Sequence, residues 1–222
     1  MQMSHRVPIM WDDSEVTGIF AGRGTTGVLL AHGAGTNQEH PSIVALRDGL
    51  AGGGLRVLTF NYPYTERGSR APDRQEKLIP CHRAAADLLA AEVDEIYLAG
   101  RSMGGRIGTY LLADGYPASG LVLYAYPLHP AGKQEKLRVD QFDTIDVPML
   151  FFQGTNDALS NMDLFNEHIA SLPTAEVILL EGAGHGYRGV GWNLESITER
   201  YVSGTIEWIS RLSSGRSALL RP

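Results

Sequence analysis

The chain has 222 residues, with 19 Lys+Arg against 25 Asp+Glu and a formal charge of −6. Hydrophobic residues make up 43% and charged residues 20%, the composition of a globular domain with a sizeable core, which excludes disorder as the main state. Mild acidity without any Lys/Arg run excludes the electrostatic footprint of a nucleic-acid binder.

A lone cysteine, Cys81, rules out an intrachain disulfide framework and a multi-Cys zinc site, and points to a reducing, cytoplasmic compartment. The N-terminal residues contain no apolar run of about 7–15 residues, so no secretory signal is expected. No run of about 18 apolar residues occurs, so no membrane span is expected either.

Residues 10–22 read as an antiparallel edge strand or hairpin. The first clear strand is Val28–Ala31, followed by a helix from Ser42 to Leu50 that places Ile43, Leu46 and Leu50 on one face and stops at Gly52-Gly53-Gly54. Leu55–Phe60 is the next strand. Residues 62–79, rich in Pro, Arg, Gly and Asp, lack periodicity and read as a lid or a surface excursion. A helix from Cys81 to Val93 follows, with Pro80 placed in its first turn. Strand Ile96–Ala99 leads into a helix that begins just after Ser102, runs to Ala113 and is closed by Gly115. Strands Leu121–Tyr126, Val147–Phe152 and Val177–Leu180 alternate with helices Asp163–Ala170 and Glu195–Leu212. Most strands are nearly continuous in apolar character, as in a parallel sheet covered on both faces. The pattern predicts a doubly wound, mostly parallel α/β sheet of about six to seven strands with helices on both faces. One domain is expected over 1–222, with its core at about 25–212.

Gly100-Arg101-Ser102-Met103-Gly104 matches G-x-S-x-G. Composition alone gives roughly 0.2 chance occurrences of that string, so its context decides. A strand precedes it and a helix follows, which would put Ser102 on a sharp strand-to-helix turn, with glycines permitting the turn. A nucleotide-binding turn is the structural alternative, but G-x-G-x-x-G and the Walker lysine are missing. A serine hydroxyl becomes a nucleophile only beside an oriented base. His185, in Gly184-His185-Gly186 just beyond the last strand, is the candidate base. Asp157, directly after strand Val147–Phe152, is the candidate orienting acid and completes the chain order Ser, acid, His. Asp163 is its nearest rival, although its position at a helix start suits a first-turn residue.

The oxyanion of acyl transfer needs donors, for which the backbone N–H groups of Met103 and Ala34 are chosen, the latter in His32-Gly33-Ala34-Gly35. Arg101, Tyr64, Tyr126 and His129 are candidate substrate contacts. Arg101 together with Arg67, Arg70 and Arg74 leaves two readings open, an acidic substrate or solvated arginines. A thiol dyad of Cys81 and His82 is disfavoured, because adjacent helical residues point about 100° apart.

These four segments, in this order on strand ends, resemble the α/β-hydrolase superfamily over roughly residues 25–212. Asn61-Tyr62-Pro63-Tyr64, Ala71-Pro72-Asp73 and Tyr126-Pro127-Leu128-His129-Pro130 resemble a small branch related to dienelactone hydrolases, which includes a testis-expressed protein and a scaffold subunit of a histone-acetyltransferase complex. The resemblance implies serine-hydrolase chemistry on an ester or thioester through Ser102, Asp157 and His185, on a small acyl substrate and without metal or organic cofactor. Dienelactone hydrolases use Cys where this chain has Ser102, so dienelactone is not the expected substrate. The rival reading is a non-catalytic protein-interaction module on the same fold.

Overall fold

Successive side chains of a strand point to opposite faces, and here both faces are apolar. Leu29, Leu98, Leu123 and Phe151 enter a core on one side of the sheet, while Val28, Leu30, Tyr97, Val122 and Phe152 enter a second core on the other. A computed structural model describes residues 4–219 except 187, 188 and 190. It contains an eight-stranded sheet: β1 (Ser4–Trp11), β2 (Ser14–Ala21), β3 (Thr26–Ala31), β4 (Arg56–Phe60), β5 (Glu95–Arg101), β6 (Leu121–Tyr124), β7 (Met149–Gly154) and β8 (Ala175–Leu180). Their spatial order is β1-β2-β4-β3-β5-β6-β7-β8. Among these described strands only the pairings of β2 with β1 and with β4 are antiparallel.

The helices are α1 (Pro41–Gly52), α2 (Pro63–Glu66), α3 (Gln75–Ala90), α4 (Met103–Ala113), α5 (Met162–Phe165) and α6 (Leu194–Leu219). α3 packs beside α4 on one face and α1 beside α6 on the other. Among the described residues no helix is long and apolar enough to cross a membrane.

The expected edge strand is a full hairpin, so the sheet exceeds the six to seven strands expected. β1 and β2 are joined through Asp12-Asp13, with Asp12 at φ 47°, a left-handed position that Asp tolerates. β1 is largely exposed and therefore carries little of the apolar alternation that marks a strand in sequence.

Two boundaries are corrected. α3 begins at Gln75, five residues before Pro80, which therefore lies inside the helix. The proline forfeits one bond, to the carbonyl of Glu76, and both residues are on the exposed face of the helix. The aperiodic stretch 62–79 is accordingly shorter than expected, since α2 and the first residues of α3 take its two ends. The loop between them is held by Arg67, whose Nη2 donates to Asp73 at 2.8 Å, and by Ser69 N–H donating to Tyr64 O.

From β3 the chain crosses to β4 on one side and returns to β5 on the other, so the order in which strands are added reverses at β3. In open α/β sheets the crevice beyond the carboxyl strand ends at such a reversal is where ligands bind.

Candidate active site

The turn between β5 and α4 holds Ser102 at φ 51° and ψ −114°, a strained conformation for a residue with a side chain. What fixes it is the crowding around its glycines. A Cβ on Gly100 would lie 2.3 Å from the Gly105 nitrogen, and one on Gly104 would lie 2.5 Å from the Ala31 carbonyl oxygen. The Ser102 N–H donates to Tyr124 O at 2.9 Å, tying the turn to the neighbouring strand.

The carboxyl ends of β7 and β8 supply the partners. Ser102 Oγ lies 2.8 Å from His185 Nε2, and His185 Nδ1 lies 2.8 Å from Asp157 Oδ2. The Asp157 side chain is fully buried and accepts from Gln153 Nε2 at 3.1 Å and from the Leu159 N–H at 2.8 Å. An acceptor held by two further donors has one orientation, so the imidazole it binds has one as well. Arg101 Nη2 donates to the His185 carbonyl at 2.6 Å and steadies the loop that carries the imidazole. Such a chain of three side chains can draw a proton from a serine hydroxyl and hold the resulting imidazolium. Asp163, the rival acid, sits in the first turn of α5, where Asn161 caps the helix.

The loop after β3 is fixed through one carbonyl. Gly33 O accepts from His32 Nδ1 at 2.8 Å, from Thr36 Oγ1 at 2.9 Å and from the Tyr64 hydroxyl at 3.4 Å. In a trans peptide the C=O and N–H point in opposite directions, so pinning this oxygen aims the Ala34 N–H the other way. Among the described residues neither the Ala34 N–H nor the Met103 N–H donates a hydrogen bond. Met103 is the first residue of α4, whose dipole adds positive potential there. The two groups are donors suited to an oxyanion.

His32 acts through burial. Its pKa is lowered to about 4, chiefly by desolvation, so the ring is neutral at pH 7 and Nε2 is free to accept from the Tyr62 N–H at 3.3 Å. Behind it His82 is lowered to about 3, by burial first and then by His32, with Nδ1 2.9 Å from the Tyr62 hydroxyl. Both rings hold fewer protons folded than unfolded, where a histidine titrates near pH ~6.5. Their contribution is thus complete above that pH and is lost as pH falls toward about 4 for His32 and about 3 for His82. We expect the pair to lower stability by about 2–3 kcal/mol per pH unit between pH ~6 and ~4. Urea denaturation across that range checks this: His82→Gln should remove about half the slope, and an unchanged slope contradicts it. The Cys81–His82 dyad is not formed, because Cys81 Sγ faces Asn61 O at 3.9 Å and burial pushes its thiol pKa up.

A family profile described as "Alpha/beta hydrolase domain" matches residues 24–209, most of the chain. The chain belongs to this alpha/beta hydrolase family. Among curated relatives, human ABHD14B, described as a candidate protein-lysine deacylase, is 26% identical over 168 residues, 74% of this chain and 77% of that protein. Among solved structures, the ferulic acid complex of Est1E from Butyrivibrio proteoclasticus has a TM-score of 0.77 at 17% identity, covering 92% of this chain and 99% of that one. A candidate dienelactone hydrolase from Klebsiella pneumoniae has a TM-score of 0.75 at 17% identity, covering 95% and 99%.

In this alpha/beta hydrolase a cavity of about 540 Å³ opens above Ser102, Met103 and Ala34. Its far wall comes from Pro72 to Glu76, so the excursion after β4 does border the site. The four expected substrate contacts sit elsewhere. Tyr64 is fully buried beneath the Gly33 carbonyl. Tyr126 is buried with its hydroxyl donated to Arg138 O at 2.7 Å. His129 lines a separate hollow behind Asp157 and accepts from the Asn161 N–H at 2.9 Å. Arg101 is engaged by the His185 carbonyl. Of the arginines singled out in sequence only Arg74 reaches the cavity, and Arg106 and Arg138, which were not singled out, line it too.

Proposed function

We propose that this alpha/beta hydrolase is a serine hydrolase that cleaves a carboxylic ester or thioester through an acyl-enzyme. The observation that carries the reading is the unbroken chain from Ser102 Oγ through His185 to Asp157, each link 2.8 Å, beneath two N–H groups with no partner among the described residues. His185 Nε2 takes the Ser102 proton as Oγ attacks the acyl carbonyl, and the Ala34 and Met103 N–H groups receive the developing oxyanion. His185 then gives its proton to the leaving oxygen or sulfur, and the acyl group remains on Oγ. Water, deprotonated by His185, attacks the acyl-enzyme and releases the acid, restoring the Ser102 hydroxyl. Asp157 stays ionised throughout and stabilises the imidazolium. None of these steps calls on a metal or an organic cofactor.

The names of the neighbours support an acyl substrate: Est1E is solved with ferulic acid, and ABHD14B is described as a candidate deacylase. The narrower placement beside a testis-expressed protein and a histone-acetyltransferase scaffold, the cytoplasmic compartment and the single-domain organisation rest on the sequence alone.

Treating the folded protein with a fluorophosphonate and locating the adduct by mass spectrometry tests the reading. One adduct per chain on Ser102, with hydrolysis of short-chain p-nitrophenyl esters, is expected. A folded protein that takes no label is an interaction module and not this enzyme.

A further inference from the structure

The cavity above Ser102 has a charge pattern that hydrolysis of a neutral ester does not require. Arg106 lies four residues after Ser102, one turn along α4 and therefore on the same side of the helix. Its Nε is buried without a hydrogen-bond partner, a costly arrangement for a charged donor. Arg138 approaches from the loop beyond β6 and is held rigidly. Its N–H donates to Leu128 O at 2.9 Å, and its carbonyl accepts from the Tyr126 hydroxyl at 2.7 Å and from Gln141 Nε2 at 3.3 Å. Its guanidinium Nη1 donates to Pro127 O at 3.0 Å. Burial first, and then the charge of Arg106, depress its pKa. Among the described residues neither guanidinium is in an ion pair. Two like charges are thus brought into one wall with neither guanidinium in contact with a carboxylate, which costs stability in the empty protein and attracts an anion to the site.

We propose that Arg106 and Arg138 form a carboxylate-binding subsite, and that the substrate is an ester or thioester bearing a carboxylate. The cavity is lined by Arg74, Arg106 and Arg138 against Asp73 and Glu76, and Asp73 is already paired with Arg67, which lies outside the lining. Guanidinium groups meet carboxylates through paired hydrogen bonds, which adds orientation to attraction. The subsite rests on the serine-hydrolase reading for its catalytic meaning but binds independently of it.

The test compares p-nitrophenyl butyrate with the mono-p-nitrophenyl ester of adipic acid, uncatalysed rates subtracted. For the wild-type protein, kcat/KM for the charged ester is expected to exceed that for the neutral one by about tenfold or more, mainly through KM, which is about 1.4 kcal/mol. In Arg106→Gln and Arg138→Gln this ratio should fall toward one, with partial recovery in Arg106→Lys. A ratio near one in the wild type, or one that survives both substitutions, overturns the subsite. If neither ester is turned over, the hydrolase reading has failed on its own. Calorimetric titration of monomethyl adipate into Ser102→Ala protein then decides the subsite separately: binding weakened about tenfold by either Arg→Gln change supports it, and absence of binding overturns it. Inorganic phosphate that displaces monomethyl adipate and binds more tightly overturns the carboxylate assignment.

Discussion

Ser102→Ala is expected to reduce ester turnover by about 10⁴-fold or more while leaving the fold intact. In the proposed mechanism the loss is large because Oγ forms the acyl bond, so the base and the oxyanion donors have nothing left to act on except water. The fold survives because the hydroxyl does little structural work. It does not cap α4, and its hydrogen-bond partner is His185. Alanine carries the same Cβ through the strained φ of 51° as serine does, so the turn is no more strained than before. Steady-state kinetics with a thermal melt checks both halves. Near-wild-type turnover in the variant removes Ser102 from the mechanism, whereas a large fall in the melting midpoint makes any rate loss uninterpretable and refutes the structural half.

The second large effect is expected at Gly104. An added Cβ would lie 2.5 Å from the Ala31 carbonyl oxygen and 2.7 Å from that of His32. Both are backbone atoms at the end of β3, where no side chain can rotate away. Relief requires α4 to lift off the strand, which separates Met103 from Ala34. Gly104→Ala should cost about 3 kcal/mol or more, a fall of roughly 6–12 °C in melting midpoint for a chain of this size. Activity below the transition should fall as well, because the two donors no longer converge. Gly186→Ala is the contrast, since an added Cβ there meets nothing within 4 Å. Equal melting midpoints for the two variants would show that the contact with β3 does not constrain the turn.

The sequence makes some of this readable and hides the rest for physical reasons. Ser102, Asp157 and His185 are found because each follows a strong apolar strand, and parallel strands deliver their carboxyl ends to one edge. Ala34 is legible in the same way, but the three donors that orient its peptide come from positions 32, 36 and 64. The pocket is harder. Tyr64 and Tyr126 lie near strand ends, yet their rings are core residues. Arg101 adjoins Ser102 in sequence and turns to the His185 carbonyl instead. Arg106 has a signal that four-residue helical spacing from Ser102 supplies once the helix is assigned. Arg138 has none, because its place depends on a loop after β6 whose path is set by buried Tyr126 and Gln141. Pro80 misleads about the start of α3 because proline is favoured in a first turn and costly further in, whereas here it lies five residues past Gln75 on the exposed face of the helix.

The pinned Gly33 carbonyl has a consequence for solvent exchange. Amides held in rigid backbone usually exchange slowly because they are also hydrogen-bonded, but Ala34 separates the two properties. Its peptide plane is fixed by three donors to the neighbouring oxygen, while its own hydrogen meets no acceptor among the described residues and the residue is exposed. This amide should trade deuterium quickly in a loop that does not open, and a tetrahedral boronate or phosphonate adduct on Ser102 should slow it sharply without moving the backbone. The active site thereby carries its own reporter: one fast amide in a still loop, silenced when a negatively charged oxygen arrives.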